Sequence, residues 1–405
     1  MLCSSKVVFR RNRHVFCTWI ELYKCSALCL VRGEKARTMR AMNSNILTPA
    51  VVATGSGDHA EPITVTNPSE PHAPSDFSGL SPDHVFDAMH AHGFHCDGRL
   101  LALNSYENRV YQLGVDDAPP VVVKFYRPRR WSDAQIVEEH QFVAQLEADE
   151  VPVVPAMVGV DGNSLREFSG FRFAVFARQG GRAPELDRAG TLEWLGRFLG
   201  RIHAVGARQT YQVRPALNQA TYGESSLSYL LQHNFIPRDI ILAYESTAHS
   251  MLTSVAAAYR EAGDVAALRL HGDCHMGNVL WTEAGNHLGA HGGPHFVDFD
   301  DSRMGPAMQD LWMLLSGSRQ DRQEQLCDIL TGYEDFYEFN PAELYLIEAL
   351  RSLRLLHYSA WLAQRWTDPA FKQAFPWFNT QRYWQDRILE MREQISLLDE
   401  APLRV

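Results

Sequence analysis

The sequence predicts an α+β chain of two unequal lobes. Three observations point there. Between about Leu101 and Ala177, apolar runs of strand length are separated by turn residues and by one stretch of helical period. From Leu192 onward the apolar residues recur at helical spacing instead. A chain of 405 residues with 45% hydrophobic content can bury two lobes, the default organisation at this size.

Residues 1–76 are expected to lie outside that fold. Met1 to Met42 hold four of the seven cysteines (Cys3, Cys17, Cys25, Cys29) and nine Lys/Arg against two acidic residues. Their most apolar piece, Val15 to Val31, is broken by Glu21 and Lys24, so it reads neither as a signal core nor as a spanning helix. A start at Met39 or Met42, or a disordered extension, is preferred over a basic cysteine-rich anchor. Asn43 to Phe77, rich in Thr, Ser, Pro and Gly, reads as a flexible leader.

The small lobe is expected over residues 77–177. It opens with a short amphipathic helix, Asp83 to His92, and a strand–turn–strand, Leu101 to Leu113, whose turn is Asn104-Ser-Tyr-Glu-Asn108. Val121-Val-Val-Lys124-Phe-Tyr126 is a buried strand interrupted by one lysine. Asp133 can cap the next helix, along which Ile136, Phe142, Val143 and Leu146 repeat. Phe171 to Phe176 is a further strand, and Ala177 to Gly181 falls where a hinge would lie. The large lobe, residues 178–405, is mostly helical, with helices at Leu192–His203, Ser226–His233, Arg238–Gly263 and Ala342–Arg365. A hairpin is expected from Val279–Trp281 and His295–Val297, with Gly285, Gly289, Gly292 and Gly293 in its loop.

The chemistry concentrates at His271-Gly-Asp-Cys-His-Met-Gly-Asn278 and Phe296-Val-Asp298. Phosphoryl transfer asks little covalent chemistry of a protein; it needs an oriented hydroxyl and oxygen ligands for a Mg²⁺ that neutralises the phosphates. Asp273, Asn278 five residues on and Asp298 at the end of an apolar strand supply that minimum. Three such residues alone would more often be a solvated surface. What reverses the preference is Lys124, because a lysine within a buried strand is costly unless its charge is paired. Glu138 and Glu139 are both candidate partners. Glu139 is chosen, since it precedes Phe142 and Leu146 on the buried side of the helix. Ser105, in a turn without glycine, could offer a hydroxyl to phosphate oxygens; an ordinary polar hairpin turn is the competing reading.

Together these pieces resemble the aminoglycoside phosphotransferase and choline kinase superfamily, which carries a His-Gly-Asp…Asn loop. Ala102 to Gln112, Val122 to Pro128, Glu138 to Phe142, Leu270 to His275, Phe296 to Asp298 and Gln309 to Leu315 are similar to bacterial Ser/Thr protein kinases of that superfamily that act in stress response. The resemblance runs from about Phe77 to near the C-terminus. It implies a bilobal protein-kinase-like fold, ATP as co-substrate, Mg²⁺ as cofactor and Ser/Thr hydroxyls of proteins as acceptors, in the cytoplasm. It makes Asp273 the proton acceptor and Asn278 and Asp298 the Mg²⁺ ligands, with Asp298 also catalytic. Ser105, Lys124 and Glu139 would form the ATP site. Phe299 and Asp300 follow Asp298, so the glycine of an Asp-Phe-Gly motif is missing and no switch built on it is expected. A kinase of small alcohols and an ATP-binding scaffold without turnover are the rival readings.

A net charge of −10 argues against nucleic acid as the main partner, and no apolar run reaches the length of a membrane span. A monomer is expected. Cys96, Cys274 and Cys327 are too scattered for a disulfide framework, which suits a reducing compartment. The cluster of His271, Cys274, His275, His287, His291 and His295 matches no zinc spacing; His271 reads as a brace of the catalytic loop. Asp310 could accept backbone hydrogen bonds from that loop. Arg351, Arg354 and His357 lie along the helix before Arg365 and read as packing.

Overall fold

The computed structural model of the chain describes residue 74, residues 76–283 and residues 292–405. Residues 1–73 and 75 of the predicted extension and leader, the glycines at 285 and 289 and the histidines at 287 and 291 lie outside the described residues, whereas Phe77, expected to end the leader, is buried.

Five strands form one antiparallel sheet in the order β1-β2-β3-β5-β4: β1 (Cys96–Leu103), β2 (Arg109–Val115), β3 (Ala118–Phe125), β4 (Arg166–Phe168) and β5 (Phe171–Ala177). The β-branched run places β3 at its centre. Val121, Val123 and Phe125 share one face and pack with Phe77, Val85, Met89, Phe171 and Phe173. Helix α1 (Pro82–Ala91) covers that face, capped by Ser81, whose Oγ accepts the His84 N–H at 3.2 Å. By the alternation of a strand, Lys124 points to the other face, between Val110 of β2 and Ala174 of β5.

Helix α2 (Asp133–Ala148) runs beneath that second face. Its cap is Ser132 rather than Asp133. Ser132 keeps an extended backbone, so its side chain reaches the Gln135 N–H while Gln135 closes a capping box; Asp133 is already helical and favours the helix dipole instead. Ile136 packs under the sheet with Tyr126, Trp131 and Ala174, but Phe142, Val143 and Leu146 belong to the core of the helical lobe. The helix therefore ties both lobes together instead of belonging to the small one alone.

The helical lobe contains α3 (Thr191–Gly206), α4 (Ser225–Gln232) and α5 (Ile241–Ala262), then the short strands β6 (Leu268–Arg269), β7 (Val279–Thr282), β8 (Gly293–Phe296) and β9 (Met304–Gly305). The expected hairpin is found as β7 and β8, with Val279 opposite Phe296, while β6 pairs with β9. Helices α6 (Met308–Trp312), α7 (Arg319–Tyr333), α8 (Ile347–Gln364), α9 (Pro369–Ala374) and α10 (Gln381–Leu398) complete it. Helices α3 and α7 cross at glycines: a Cβ on Gly196 would lie 1.9 Å from the Ile329 carbonyl oxygen, and one on Gly332 would lie 2.0 Å from that of Glu193. The helix predicted over Ala342–Arg365 begins instead as a 3-10 turn, Pro341–Leu346, where Asn340 Oδ1 caps the Ala342 N–H at 3.0 Å and Pro341 sits at the first position. The expected bilobal α+β architecture is thus present.

Candidate active site

The loop from Leu270 to Asn278 enters from β6 and leaves into β7, and its shape is fixed from behind. Asp310, fully buried on α6, accepts the N–H of His271 through Oδ2 and that of Gly272 through Oδ1, both at 2.8 Å. His203 of α3 completes the carboxylate's shell at 3.0 Å. Gln309 Nε2 donates to the Gly272 carbonyl at 3.1 Å. Gly272 has φ +86°, and a Cβ there would lie 2.1 Å from the Asp301 carbonyl oxygen, so only glycine lets the two loops touch. His271 is the expected brace: Nδ1 accepts the Asp273 N–H at 3.4 Å, which leaves Nε2 to donate to the Val297 carbonyl at 3.0 Å.

Asp273 emerges from this frame. Arg354 Nη2 of α8 lies 2.7 Å from its Oδ1 and His275 Nε2 lies 3.5 Å from its Oδ2. Burial pushes the Asp273 carboxyl up, but Arg354 and His275 outweigh it and hold the group well below the usual carboxylate range. Asn278 Nδ2 donates to the Asp273 carbonyl at 3.0 Å, which turns its Oδ1 away as a ligand oxygen. Asp298 ends the β8 run with φ +64°, a left-handed conformation that aspartate tolerates better than most residues and that recurs at functional sites.

Lys124 meets the aspartates. Its Nζ is 2.8 Å from Asp298 Oδ1 and 3.1 Å from Asp300 Oδ1. Burial would push the ammonium down, but Asp298, Asp300 and Glu139 hold it well above its ordinary value. The pairing expected between Lys124 and Glu139 is not the contact formed. Glu139 is taken by Arg214, Nη2 to Oε2 2.9 Å, although it remains in the field of Lys124. Arg214 is wholly buried, and its guanidinium also donates to the carbonyls of Asp300 and Ser302. Glu138 faces outward on α2 and accepts the N–H groups of Gln212, Val213 and Arg214 at 2.6, 3.1 and 2.9 Å, which delivers Arg214 to its place. Sequence reasoning missed Arg214, Asp300 and Arg130, which binds Asp300 and lies 2.6 Å from Asp301. Nothing local marks these residues, because each pairs across the fold.

The loop holding Ser105 lies between β1 and β2. Ser105 Oγ accepts the Asn108 N–H at 3.3 Å, and Glu107 reaches across to the helical lobe, accepting from Trp361 Nε1 and Arg365 Nε at 2.6 Å each.

No three His, Cys, Asp or Glu side chains converge on a metal position among the described residues. The oxygen pair of Asn278 and Asp298 nevertheless suits Mg²⁺, which takes one or two protein oxygens and fills the rest of its octahedron with waters and phosphate. Lys124 now sits as the cation on Asp298. Cys274 is buried, and burial pushes its thiol well up, so it is not a thiolate ligand.

With this geometry in view, residues 99–356 match the model of the phosphotransferase enzyme family. The chain belongs to that family. It is a phosphotransferase. It is 45% identical to stress response kinase A of Escherichia coli (strain K12) over 329 residues, 81% of this chain and 97% of that protein. It is 43% identical to the serine/threonine protein kinase RdoA of Salmonella typhimurium, again over 81% of this chain and 97% of the relative. Among solved structures, an amicoumacin kinase in complex with AMP-PNP, Ca²⁺ and Ami aligns with TM-score 0.60 at 19% identity over 80% of this chain and 95% of that one. A microcompartment-associated aminopropanol kinase aligns with TM-score 0.54 at 17% identity over 78% and 96%. These two likenesses establish the shared fold. No helix among the described residues is long and apolar enough to cross a membrane.

Proposed function

We propose that this phosphotransferase moves the γ-phosphoryl group of ATP to serine and threonine hydroxyls of proteins, in the cytoplasm and as part of a stress response. What supports the reaction is Asp273, held well below its usual range on a loop that Asp310 fixes and bonded by Asn278, together with the Lys124–Asp298 pair. The protein acceptor is supported by the names of relatives that the chain matches almost end to end.

In this reading the acceptor hydroxyl donates to Asp273. Its oxygen forms the new bond to the γ-phosphorus as the bond to the β,γ-bridging oxygen breaks, and ADP leaves. A carboxylate held so far below its usual range is a weak base, so Asp273 orients the hydroxyl, and the proton moves late, as a loose transition state allows. Asn278 and Asp298 would hold Mg²⁺, which when bound screens the phosphate charge. Lys124 would exchange Asp298 for the α- and β-phosphates, with Glu139 beneath it as a distant countercharge. Ser105 would donate to the phosphates from the loop above. The sheet with α1 and α2, residues 77–177, and the helical remainder, 178–405, serve as the nucleotide and acceptor lobes.

The test is transfer of label from Mg·ATP to a protein panel and a panel of small alcohols, wild type against Asp273→Ala. Label on Ser/Thr that falls at least about 100-fold in the variant is expected. Label confined to small alcohols would defeat the protein acceptor, and undiminished transfer by Asp273→Ala would defeat the mechanism.

A further inference from the structure

The two carboxylates that Lys124 meets are not equivalent. Its Nζ donates to Asp298 Oδ1 at 2.8 Å and stands 3.1 Å from Asp300 Oδ1. The side chain of Asp298 is 51% exposed, whereas that of Asp300 is 6% exposed and that of Lys124 is 8% exposed. Water screens the first pair, so it is weakly held. Parting the second would strand a charge in the interior, which is far more costly.

Asp300 is also fixed on every side but one. Its Oδ2 is bonded by Arg130, a guanidinium 10% exposed that reaches Asp301 at 2.6 Å as well. Its backbone carbonyl accepts Arg214 Nη1 at 3.1 Å, and Arg214 is held in turn by Glu139 at 2.9 Å. The oxygen left over is Oδ1, which is buried and accepts no hydrogen bond. Nζ is close to it in charge, but no N–H is aimed along its lone pair. An ammonium has three N–H donors, so a small swing of Nζ off Asp298 would point one of them at Oδ1. The stem below is steady, because Nζ lies 5.4 Å from the ring of Tyr126 and the Tyr126 hydroxyl is tied to His140 at 2.7 Å.

We infer that Asp300 is the positioning residue of Lys124: with nucleotide bound, Nζ gives up the exposed Asp298, completes a hydrogen bond to Asp300 Oδ1 and turns its other donors to the phosphates. Asp298 is thereby left free as an oxygen ligand for Mg²⁺. This rests on reading Lys124 as the residue that binds the phosphates. The part expected of Glu139, holding the lysine up to the nucleotide, falls to Asp300, and Glu139 acts at one remove by holding Arg214. Without Asp300, Lys124 would keep Asp298 as its one close carboxylate, and binding would have to break that pair with nothing buried to replace it.

The experiment measures Mg·ADP binding to the full chain by calorimetry, in a double-mutant cycle of Asp300→Asn and Lys124→Met, with Glu139→Gln beside it. We expect Asp300→Asn to weaken binding at least about tenfold when Lys124 is present and less than about twofold when it is already methionine. Glu139→Gln should cost less than Asp300→Asn. An equal loss in both backgrounds is the mark of a structural role and overturns the inference, and so does binding that Asp300→Asn leaves unchanged or tightens. A larger loss from Glu139→Gln returns the part to Glu139. If Lys124→Met by itself leaves binding unaltered, the reading of Lys124 as the phosphate ligand fails, and the inference fails with it. A crystal structure of the wild type with Mg·ADP decides the question without any substitution: Nζ bonded to Asp300 and parted from Asp298 is expected, and Nζ still on Asp298, or moved to Glu139, overturns the inference.

Discussion

Neighbouring carboxylates in this chain carry different duties according to what surrounds them. Glu138 stays at the surface and gathers three backbone N–H groups, whereas burial pushes Glu139 up to about 7 against the pull of Lys124 and Arg214. Asp310 never meets solvent and spends both oxygens on the backbone of the catalytic loop. Replacing it by alanine strands two buried N–H groups and leaves His203 Nε2 without its partner. We expect Asp310→Ala to lose about 3 kcal/mol in chemical denaturation, since each orphaned buried group costs about 1–3 kcal/mol. Transfer should fall as well, because the loop that presents Asp273 is no longer held. A variant as stable and active as wild type would show the loop to be fixed by its own backbone.

At the scale of elements, the β1–β2 turn and helix α8 act on each other. Glu107 accepts from Trp361 and Arg365 and lies 2.9 Å from Arg127, while Tyr106 leans on Phe375 at 4.9 Å. Arg127 also meets Asp368 at 3.1 Å, ahead of α9. The turn over the proposed nucleotide site is therefore fastened to the helical lobe by a buried carboxylate. Glu107→Ala leaves Arg365 and Arg127 without that partner, and breaking a buried ion pair costs about 3–5 kcal/mol. We expect amide exchange over residues 104–108 to quicken and the KM for ATP to rise. Unchanged exchange would mean that Arg127 alone holds the turn through the carbonyls of Tyr106 and Glu107.

Over the whole molecule, buried titratable groups set opposed dependences on pH. Burial pushes His140 and His357 down to about 3 from 6.5. The unfolded chain then binds protons that the folded chain refuses, so these two withdraw stability as pH falls from 6.5 towards 3. Burial pushes Glu139, Glu343 and Glu390 up to about 7 from 4.5, so the folded chain binds their protons first and they add stability as pH falls from 7 to 4.5. Below that the glutamates have nothing more to give. Burial raises Asp300 and Asp301 too, but Arg130 outweighs it and keeps both low, so they withdraw stability below 3.8. We expect denaturation midpoints to hold or rise between pH 7 and 4.5 and to fall steeply below. A steady loss from pH 7 downward would show that the glutamates are not protonated in the fold.

What the sequence determined by itself is what short-range backbone geometry carries. The five-residue offset of Asp273 and Asn278, the strand that delivers Asp298, the placement of Lys124 within β3 and the burial of Glu139 on α2 all follow from spacing along a loop, a strand or a helix. Helices α2, α3, α4, α5 and α8 were legible for the same reason, apart from the starts of α2 and of the segment before α8, where Ser132 and Asn340 took capping positions that side-chain reach decides. Only the tertiary structure chose the partners of the buried charges. Arg214 reaches Glu139 across 75 residues and Arg365 reaches Glu107 across 258. Arg354 read as packing on an apolar helix until the fold set it against Asp273. A buried charge takes whichever opposite charge the packed core brings within a few ångströms, and no local pattern of residues records that choice.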